Sequence, residues 1–229
     1  LAKLLSDTAA AARDDGQPSG LLEVGTLETT LALRLPLLIA RFAKAWPDVR
    51  PVVRTGTTGS LIQDVVECKL EGAFVAGPVS HPDLQAETVF NEELVLVTSR
   101  SVRTLDALTA MSHLKTVVFR VGCSYRQRLD ALLASMGIVA PEPLEFGSID
   151  AILACVSAGV GVTLLPRGVA AGAWEDGLVV VHDIPAAFAH VETVFIRRTD
   201  GHVSSALATF LDSVRQEGQA RPSPIRQRA

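Results

Sequence analysis

The sequence predicts an α/β fold built from two lobes, and the spacing of its apolar segments is the main evidence. Short apolar runs alternate with longer segments whose apolar residues recur at helical spacing, which is typical of parallel strands connected by helices. The alternation occurs both before and after a strongly strand-like run at 93–98. With 229 residues, of which 48% are hydrophobic, the chain is long enough for one large domain or two small ones.

The first lobe has a β-α-β-α-β order. A strand at 21–24 leads through a polar turn at 25–30 into a helix over 31–46, and Trp46-Pro47-Asp48 ends that helix. Strands at 49–55 and 72–76 and a helix at 59–70 complete this unit.

Crossing strands and a second unit follow. After Gly77-Pro78, strands are predicted at 89–90 and 93–98. The second unit has strands at 117–119, 144–146 and 162–165 and helices at 124–135 and 149–158; strands at 178–181 and 191–196 and a helix at 203–215 end the pattern. We therefore expect lobe I at 20–92 and 192–217, lobe II at 93–191, and a disordered tail at 218–229.

Composition excludes several classes of protein. The formal net charge is -4, so no overall basic field exists to hold a polyanion, and this chain alone should bind DNA poorly. Arg34, Pro36 and Arg41 interrupt the longest apolar stretch, which predicts no membrane span. The first residues lack a secretory signal and a Met, which suggests a truncated chain. Three cysteines at no metal-like spacing favour a reducing cytoplasm.

Motifs for catalysis and for cofactors are not apparent. The five histidines lack the short spacing of a metal site. Gly159-Val160-Gly161 lacks the third glycine of a dinucleotide-binding loop and follows a helix, so it is interpreted as a helix stop and turn. No nucleophile elbow, phosphate loop or pair of catalytic carboxylates stands out. We therefore expect no enzyme activity, no metal and no cofactor.

Local sequence resembles the effector domains of LysR-type transcription regulators over residues 21 to about 215. Each matching segment is weak alone, but their order along the chain is specific. The segments are Leu21-Leu22-Glu23-Val24-Gly25, Leu35-Pro36-Leu37-Leu38 with Phe42 and Trp46-Pro47-Asp48-Val49, Thr55-Gly56-Thr57-Thr58-Gly59-Ser60-Leu61, Leu70-Glu71-Gly72-Ala73-Phe74-Val75, Glu92-Glu93-Leu94-Val95-Leu96-Val97, Phe146-Gly147-Ser148-Ile149, and Ala158-Gly159-Val160-Gly161-Val162-Thr163-Leu164-Leu165-Pro166.

The resemblance implies two Rossmann-like lobes joined by crossing strands, as in type 2 periplasmic binding proteins, with a small-molecule effector in the cleft between them. It also implies a cytoplasmic homodimer or homotetramer, whose contacts would include the helix at 31–45 and a matching helix of lobe II. DNA would be bound only through an N-terminal helix-turn-helix module outside this chain. Residues 1–16 look like the end of the helix that connects such a module, although a remnant of an expression tag is an equally good interpretation.

Two other classes of protein stay open at this point. One is a stand-alone solute-binding protein of the same architecture, which would need an export signal. The other is a small α/β enzyme that uses Cys123.

Polar residues at helix starts are the candidate effector ligands in lobe I. Such starts have unpaired backbone amides and the positive end of the helix dipole, which favour an anion. The resemblance assigns ligand-contacting hydroxyls to Thr29 and Thr58, and Ser60 is a neighbour. Ordinary N-capping explains these hydroxyls equally well. The other candidates in this lobe are Thr26, Thr57, Pro78 and Thr193, the last two near the crossovers.

Lobe II offers a second set of candidates. Ser124 opens a helix, and Arg126 or Arg120 could balance a carboxylate, although a solvated arginine explains either one. Some members of the family keep an arginine after the third strand, where this chain has Gly77-Pro78. Phe146 and Ser148 would form an apolar and hydroxyl wall, or simply a core phenylalanine and a cap.

Cys123 is the remaining candidate in lobe II and raises a separate question. Its place at a helix start could lower the pKa of the thiol and create a redox or covalent sensor. A small apolar filler explains it equally well. Cys68 and Cys155 are interpreted as core residues.

Overall fold

The computed structural model describes residues 16–111, 113–138 and 142–220, and they form two compact units. Unit 1 contains residues 16–91 and 192–220, and unit 2 is Glu92–Val191. The chain passes from one unit to the other twice, at 91/92 and at 191/192. The predicted linker helix before residue 16 and the predicted tail beyond residue 220 lie outside the described residues.

Strands and helices alternate along both units. The strands are β1 (Gly20–Thr26), β2 (Val49–Thr55), β3 (Gly72–Ala76), β4 (Leu84–Ser99), β5 (Lys115–Phe119), β6 (Glu142–Phe146), β7 (Thr163–Pro166), β8 (Val179–His182) and β9 (His190–Arg198). The helices are α1 (Glu28–Leu33), α2 (Leu35–Ala45), α3 (Thr58–Val66), α4 (Asp106–Thr109), α5 (Ser124–Ser135), α6 (Ile149–Ser157), α7 (Arg167–Glu175), α8 (Ala186–Ala189) and α9 (Ser205–Ala220). Among these, β2, β3 and α5 confirm the predicted bounds.

Unit 1 has a central sheet in which β2, β1 and β3 are parallel and β9 is antiparallel to β3. Its core is rich in phenylalanine: the rings of Phe74 and Phe195 lie 5.0 Å apart between centroids, and those of Phe42 and Phe210 lie 5.2 Å apart, both edge to face. Gly72 makes the close approach of β3 and β9 possible, because a Cβ there would lie 2.3 Å from Cζ of Phe195.

Unit 2 combines a parallel pair of strands with antiparallel neighbours. β5 and β6 are parallel, whereas β7 and β8 both pair antiparallel with β4. Val162 connects the two groups, since its N–H donates to the Lys115 carbonyl at 3.0 Å and its carbonyl accepts from the Val117 N–H at 2.8 Å. The core of this unit contains fully buried Val95, Val97, Val117, Ile152 and Leu165.

Three predicted elements of unit 1 differ from the structure. The helix predicted at 31–46 is two helices that meet at Arg34, since Pro36 lacks an N–H and is tolerated only in the first turn of the second one. The helix predicted at 59–70 ends at Val66 because Cys68 adopts a left-handed φ of 56°. The last helix runs to Ala220, so the predicted tail is wrong for residues 218–220.

Two further differences involve unit 2. The strands predicted separately at 89–90 and 93–98 are one strand, β4, which continues through Glu92. Helix α7 was not predicted; it contains two glycines, which disfavour a helix. Among the described residues no helix is both long and apolar enough to cross a membrane.

Candidate functional site

In unit 1 the predicted site residues follow strands that end at the same edge of the sheet. The last residue of β1, Thr26, is paired with Thr55 at the end of β2 and with Phe74 near the end of β3. The Gly56 N–H then donates to the Thr26 carbonyl at 3.1 Å, which holds the two following loops together. Because the three strands are parallel, the segments containing Thr29, Thr57–Ser60 and Pro78 all begin at this edge.

Thr57 and Ser60 form a capping box at the start of α3. The Ser60 N–H donates to Thr57 Oγ1 at 3.3 Å, and the Thr57 N–H donates to Ser60 Oγ at 3.0 Å. This reciprocal pair satisfies two backbone donors that a helix start would otherwise leave open. Of the hydroxyls for which capping was considered, Ser60 has this role together with Thr57, whereas Thr58 is the first residue of α3 and Thr29 lies within α1. The box fixes the geometry of the loop whether or not a ligand binds.

Thr58 connects the start of α3 to the end of β3. Its Oγ1 accepts a hydrogen bond from the Ala76 N–H at 3.4 Å. A hydroxyl that accepts one bond can still donate its own hydrogen. Thr58 is half-buried, so that hydrogen is available to a small molecule at the edge of the sheet.

The other candidates of the first loops differ in exposure. Thr26 is fully buried, and its hydroxyl donates to the neighbouring Leu27 carbonyl at 3.2 Å. Thr29 is also buried, within α1. Pro78 is exposed directly after β3. Thr26 is thus an internal residue at the end of β1 and Thr29 is an internal residue of the following helix, so Pro78 is the exposed one of the three.

Thr193 has the most unusual environment in unit 1. It lies on β9 opposite Ala76, so it belongs to the same edge as Thr58. Its side chain is 1% exposed, yet its Oγ1 has no hydrogen-bond partner among the described residues. Leaving a buried hydroxyl unsatisfied costs about 1–3 kcal/mol. The Thr193 hydroxyl at this sheet edge would therefore gain from a hydrogen-bond partner.

In unit 2 the predicted residues again follow parallel strands that end side by side. The ends of β5 and β6 are paired through Phe119 and Phe146, and Phe146 packs against the core of the unit. Beyond these ends, Ser124 begins α5 and Ser148 is the N-cap of α6. Ser124 Oγ is buried without a partner among the described residues, and the Ser148 side chain makes no capping hydrogen bond.

The two arginines considered for a ligand carboxylate differ in their contacts. Arg126 Nη1 lies 2.5 Å from Glu145 Oε1, so its charge is already balanced. Arg120 is exposed and lies beside Gly147, where a Cβ would be 3.5 Å from its Nη2. Glu145 was not among the predicted site residues. Its position beside Phe146 on a short strand, on the opposite face of that strand, was the available signal.

Cys123 does not have the environment of a reactive cysteine. Its side chain is buried, and this burial raises the pKa of the thiol, although the backbone N–H groups of Arg126 and Tyr125 partly oppose the shift. The expectation of a lowered pKa is therefore wrong, because desolvation outweighs the helix start. Cys68 and Cys155 were expected to be core residues, but both are only half-buried.

Within the part of the chain that the structure describes, no group of three or more His, Cys, Asp or Glu side chains could hold a metal ion.

Comparison with known proteins identifies the family. Residues 15–219 match the LysR substrate binding domain. The HTH-type transcriptional regulator GltR of Bacillus subtilis is 40% identical over 217 residues, which cover 95% of this chain and 73% of that protein. The HTH-type transcriptional regulator YofA of the same organism is 38% identical over 213 residues, covering 93% of this chain and 73% of that protein.

Solved structures show the same fold at lower sequence identity. The effector-binding domain of QuiR in complex with shikimate superposes with a TM-score of 0.71 at 19% identity, covering 90% of this chain and all of that one. Full-length CbnR complexed with its target DNA gives a TM-score of 0.67 at 24% identity, covering 95% of this chain and 77% of that one. These likenesses confirm the predicted α/β, periplasmic-binding-protein-like fold.

The relatives also decide between the predicted classes of protein. They are transcription regulators, which favours a regulator over a stand-alone solute-binding protein or an enzyme. The match spans nearly all of the described residues in both units. The chain therefore belongs to the LysR substrate-binding domain family and is the effector-binding domain of a LysR-type transcription regulator.

Proposed function

We propose that the effector is a small polar metabolite, with organic acids as the first class to test, and that the hydroxyl groups of Thr29, Thr58, Ser60 and Thr193 in unit 1 contact it. The observation that carries this proposal is the buried Thr193 hydroxyl without a partner, on the strand pair that also holds Thr58. Because that hydroxyl is closed to solvent in this structure, an effector oxygen would reach it through a small rearrangement at the strand ends, and the new hydrogen bond would recover the cost of its burial.

The start of α3 supports an acidic ligand. Its first-turn backbone N–H groups and the positive end of its dipole lie at the carboxyl edge of the sheet. The capping box keeps this loop in one conformation before a ligand arrives, which reduces the entropy cost of binding.

The unit 2 residues Cys123, Ser124, Arg126, Phe146 and Ser148 stay predictions as effector contacts. Of the two arginines, Arg120 is the better candidate to balance a carboxylate, because Arg126 is already paired with Glu145. Cys123 would contribute only van der Waals contact, since its thiol is buried and neutral.

The proposed regulator acts without catalysis, in the cytoplasm, as a homodimer or homotetramer. It would bind DNA through a helix-turn-helix module, as the names of GltR and YofA indicate for those proteins. Effector binding would change regulation only if the effector has different affinities for two states of the protein.

The test is a binding screen on the purified protein. Shikimate, citrate and benzoate, each with an uncharged analogue, are examined by thermal shift and then by calorimetry. At least one acid should bind, and Thr58→Val and Thr193→Val should each weaken its binding about tenfold, as expected for one buried hydrogen bond. Ser213→Ala is the matched control, since that hydroxyl donates within α9 at 3.1 Å and should not affect binding. Equal affinity in all three variants would contradict the proposed contacts.

A further inference from the structure

The last turn of α3 depends on a side chain from another element. A helix end leaves backbone carbonyls without intrahelical donors. Here the Gln63, Asp64 and Val65 carbonyls accept from the N–H groups of the next residues, 67–69, at 2.8–3.0 Å. The Val66 carbonyl accepts from Arg198 Nη1 at 3.0 Å, at the end of β9, and more weakly from the Cys68 thiol at 3.9 Å. A β9 side chain therefore completes the end of α3.

Asp200 fixes the direction of the Arg198 guanidinium. Arg198 Nε and Nη2 donate to the two Asp200 carboxylate oxygens at 2.8 and 2.7 Å, a parallel pair of bonds with little rotational freedom. The Arg198 side chain is 24% exposed, so most of it is packed against protein. The remaining Nη1 can then reach Val66 without a large entropy cost.

The opposite end of α3 is attached to the strand next to β9. Thr58 Oγ1 accepts from Ala76 on β3, and β3 pairs with β9 through Ala76 and Thr193. Both ends of α3 are thus held by polar contacts to neighbouring strands. A helix of nine residues is about 13 Å long, so Arg198 is too far from Thr58 to share a small ligand with it.

We propose that Arg198 is a positioning residue for the effector-contacting start of α3. This inference rests on the proposed function, because it gives Thr58 and Ser60 their role. Arg198 holds the far end of α3 on β9, the same strand that contributes Thr193. The hydroxyls on the helix and on the strand therefore keep a fixed separation, and removal of Arg198 would let α3 shift as a unit on the sheet.

Amide hydrogen exchange without ligand tests the proposal directly. Arg198→Met should increase exchange of the hydrogen-bonded amides of residues 60–62 about tenfold, the loss expected for a charge-assisted hydrogen bond. Arg198→Lys should restore part of the protection, since lysine keeps the charge but cannot bind Asp200 in parallel. The control is Arg215→Met, which removes an equally well-paired arginine, bound to Glu87 at 2.7 Å through two nitrogens, from α9.

Two outcomes would overturn the positioning role. Faster exchange confined to residues 64–67 would make Arg198 an ordinary helix cap. Similar acceleration of residues 60–62 in Arg215→Met would mean that the effect is general destabilisation.

The binding readout keeps this proposal separate from the proposed function. If shikimate, citrate and benzoate all fail to bind the unmodified protein, the proposed ligand class fails, yet the exchange result still decides whether α3 is held by Arg198. If one of them binds, Arg198→Met should weaken that binding three- to tenfold, and Arg215→Met should not.

Discussion

The helices that begin at the strand ends of unit 1 and unit 2 are built differently. In unit 1, α3 begins with Thr57, whose side chain and that of Ser60 exchange hydrogen bonds with each other's backbone. In unit 2, α5 and α6 begin after Cys123 and Ser148, and neither side chain makes a capping hydrogen bond. The two units therefore place similar polar residues at equivalent positions but use them differently.

This difference in capping affects both the stability of each helix start and the polar groups that it can offer to a ligand. The capped helix start is rigid, since the Thr57 and Ser60 N–H groups are already satisfied by side chains. At the starts of α5 and α6, the Ser124 hydroxyl has no partner among the described residues and the Ser148 hydroxyl makes no cap. Unit 1 thus offers a prearranged surface, and unit 2 offers groups that gain more from a ligand.

The largest expected effect is on the stability of the capped helix. Thr57→Ala removes the side-chain half of the capping box and should lower the free energy of unfolding by about 1–2 kcal/mol. Ser148→Ala removes a hydroxyl that makes no cap and should change it by less than about 0.5 kcal/mol. Urea denaturation of both variants measures the difference. Equal losses would mean that Ser148 caps α6 in solution and that the contrast between the units does not hold.

A smaller effect, of opposite sign, is expected at the buried hydroxyls without partners. Thr193→Val replaces an unsatisfied hydroxyl with a methyl of the same shape and should stabilise the ligand-free protein by about 1 kcal/mol. Ser124→Ala should act in the same direction but less, because Ser124 is only half-buried as a residue.

Thr98→Val is the contrasting control for these two variants. The Thr98 hydroxyl is buried but lies 2.8 Å from His182 Nε2, so its loss should be destabilising. Thermal unfolding without ligand measures all three. A destabilised Thr193→Val would show that its hydroxyl has a partner within the protein, and it would remove the main support for the proposed effector contact.

The sequence predicted the fold well because alternating apolar segments depend on local patterns. Strands β2 and β3 and helix α5 lie at their predicted bounds, since turn residues and apolar periodicity coincide there. The errors occurred where tertiary contacts decide. Helix α7 contains two glycines, which disfavour a helix, and it packs against the core of unit 2 through Val169, Ala170 and Ala173. Strand β4 continues past polar Glu92 because pairing, not hydrophobicity, extends it.

The candidate site was only partly accessible to sequence reasoning. Residues after strand ends could be chosen, and parallel pairing brings those of unit 1 to one edge. The hydrogen-bond partners of these residues could not be predicted from the sequence in the same way. The Arg126–Glu145 pair and the unpaired state of the Thr193 hydroxyl depend on residues far apart in sequence. Burial of Cys123 likewise reversed the direction of its pKa shift.

The smallest expected effect concerns Cys123, and it tests whether the uncapped start of α5 has any chemistry of its own. Burial raises the pKa of this thiol above its ordinary value of 9.0, so at pH 8 it should react with iodoacetamide more slowly than half-buried Cys68. Because the folded-state pKa lies above the unfolded one, the thiol's contribution to stability is complete below pH 9.0 and decreases as the pH rises through the folded-state pKa.

Cys123→Ser should therefore lessen the loss of stability between pH 8 and pH 10. Urea denaturation at both pH values and peptide mass spectrometry after alkylation measure the two effects. Faster alkylation of Cys123 than of Cys68 in the native protein would mean that the helix start outweighs burial. In that case unit 2 would contain a reactive thiol. Cys123, the N-cap of α5, would then have a chemical role instead of a ligand-binding one.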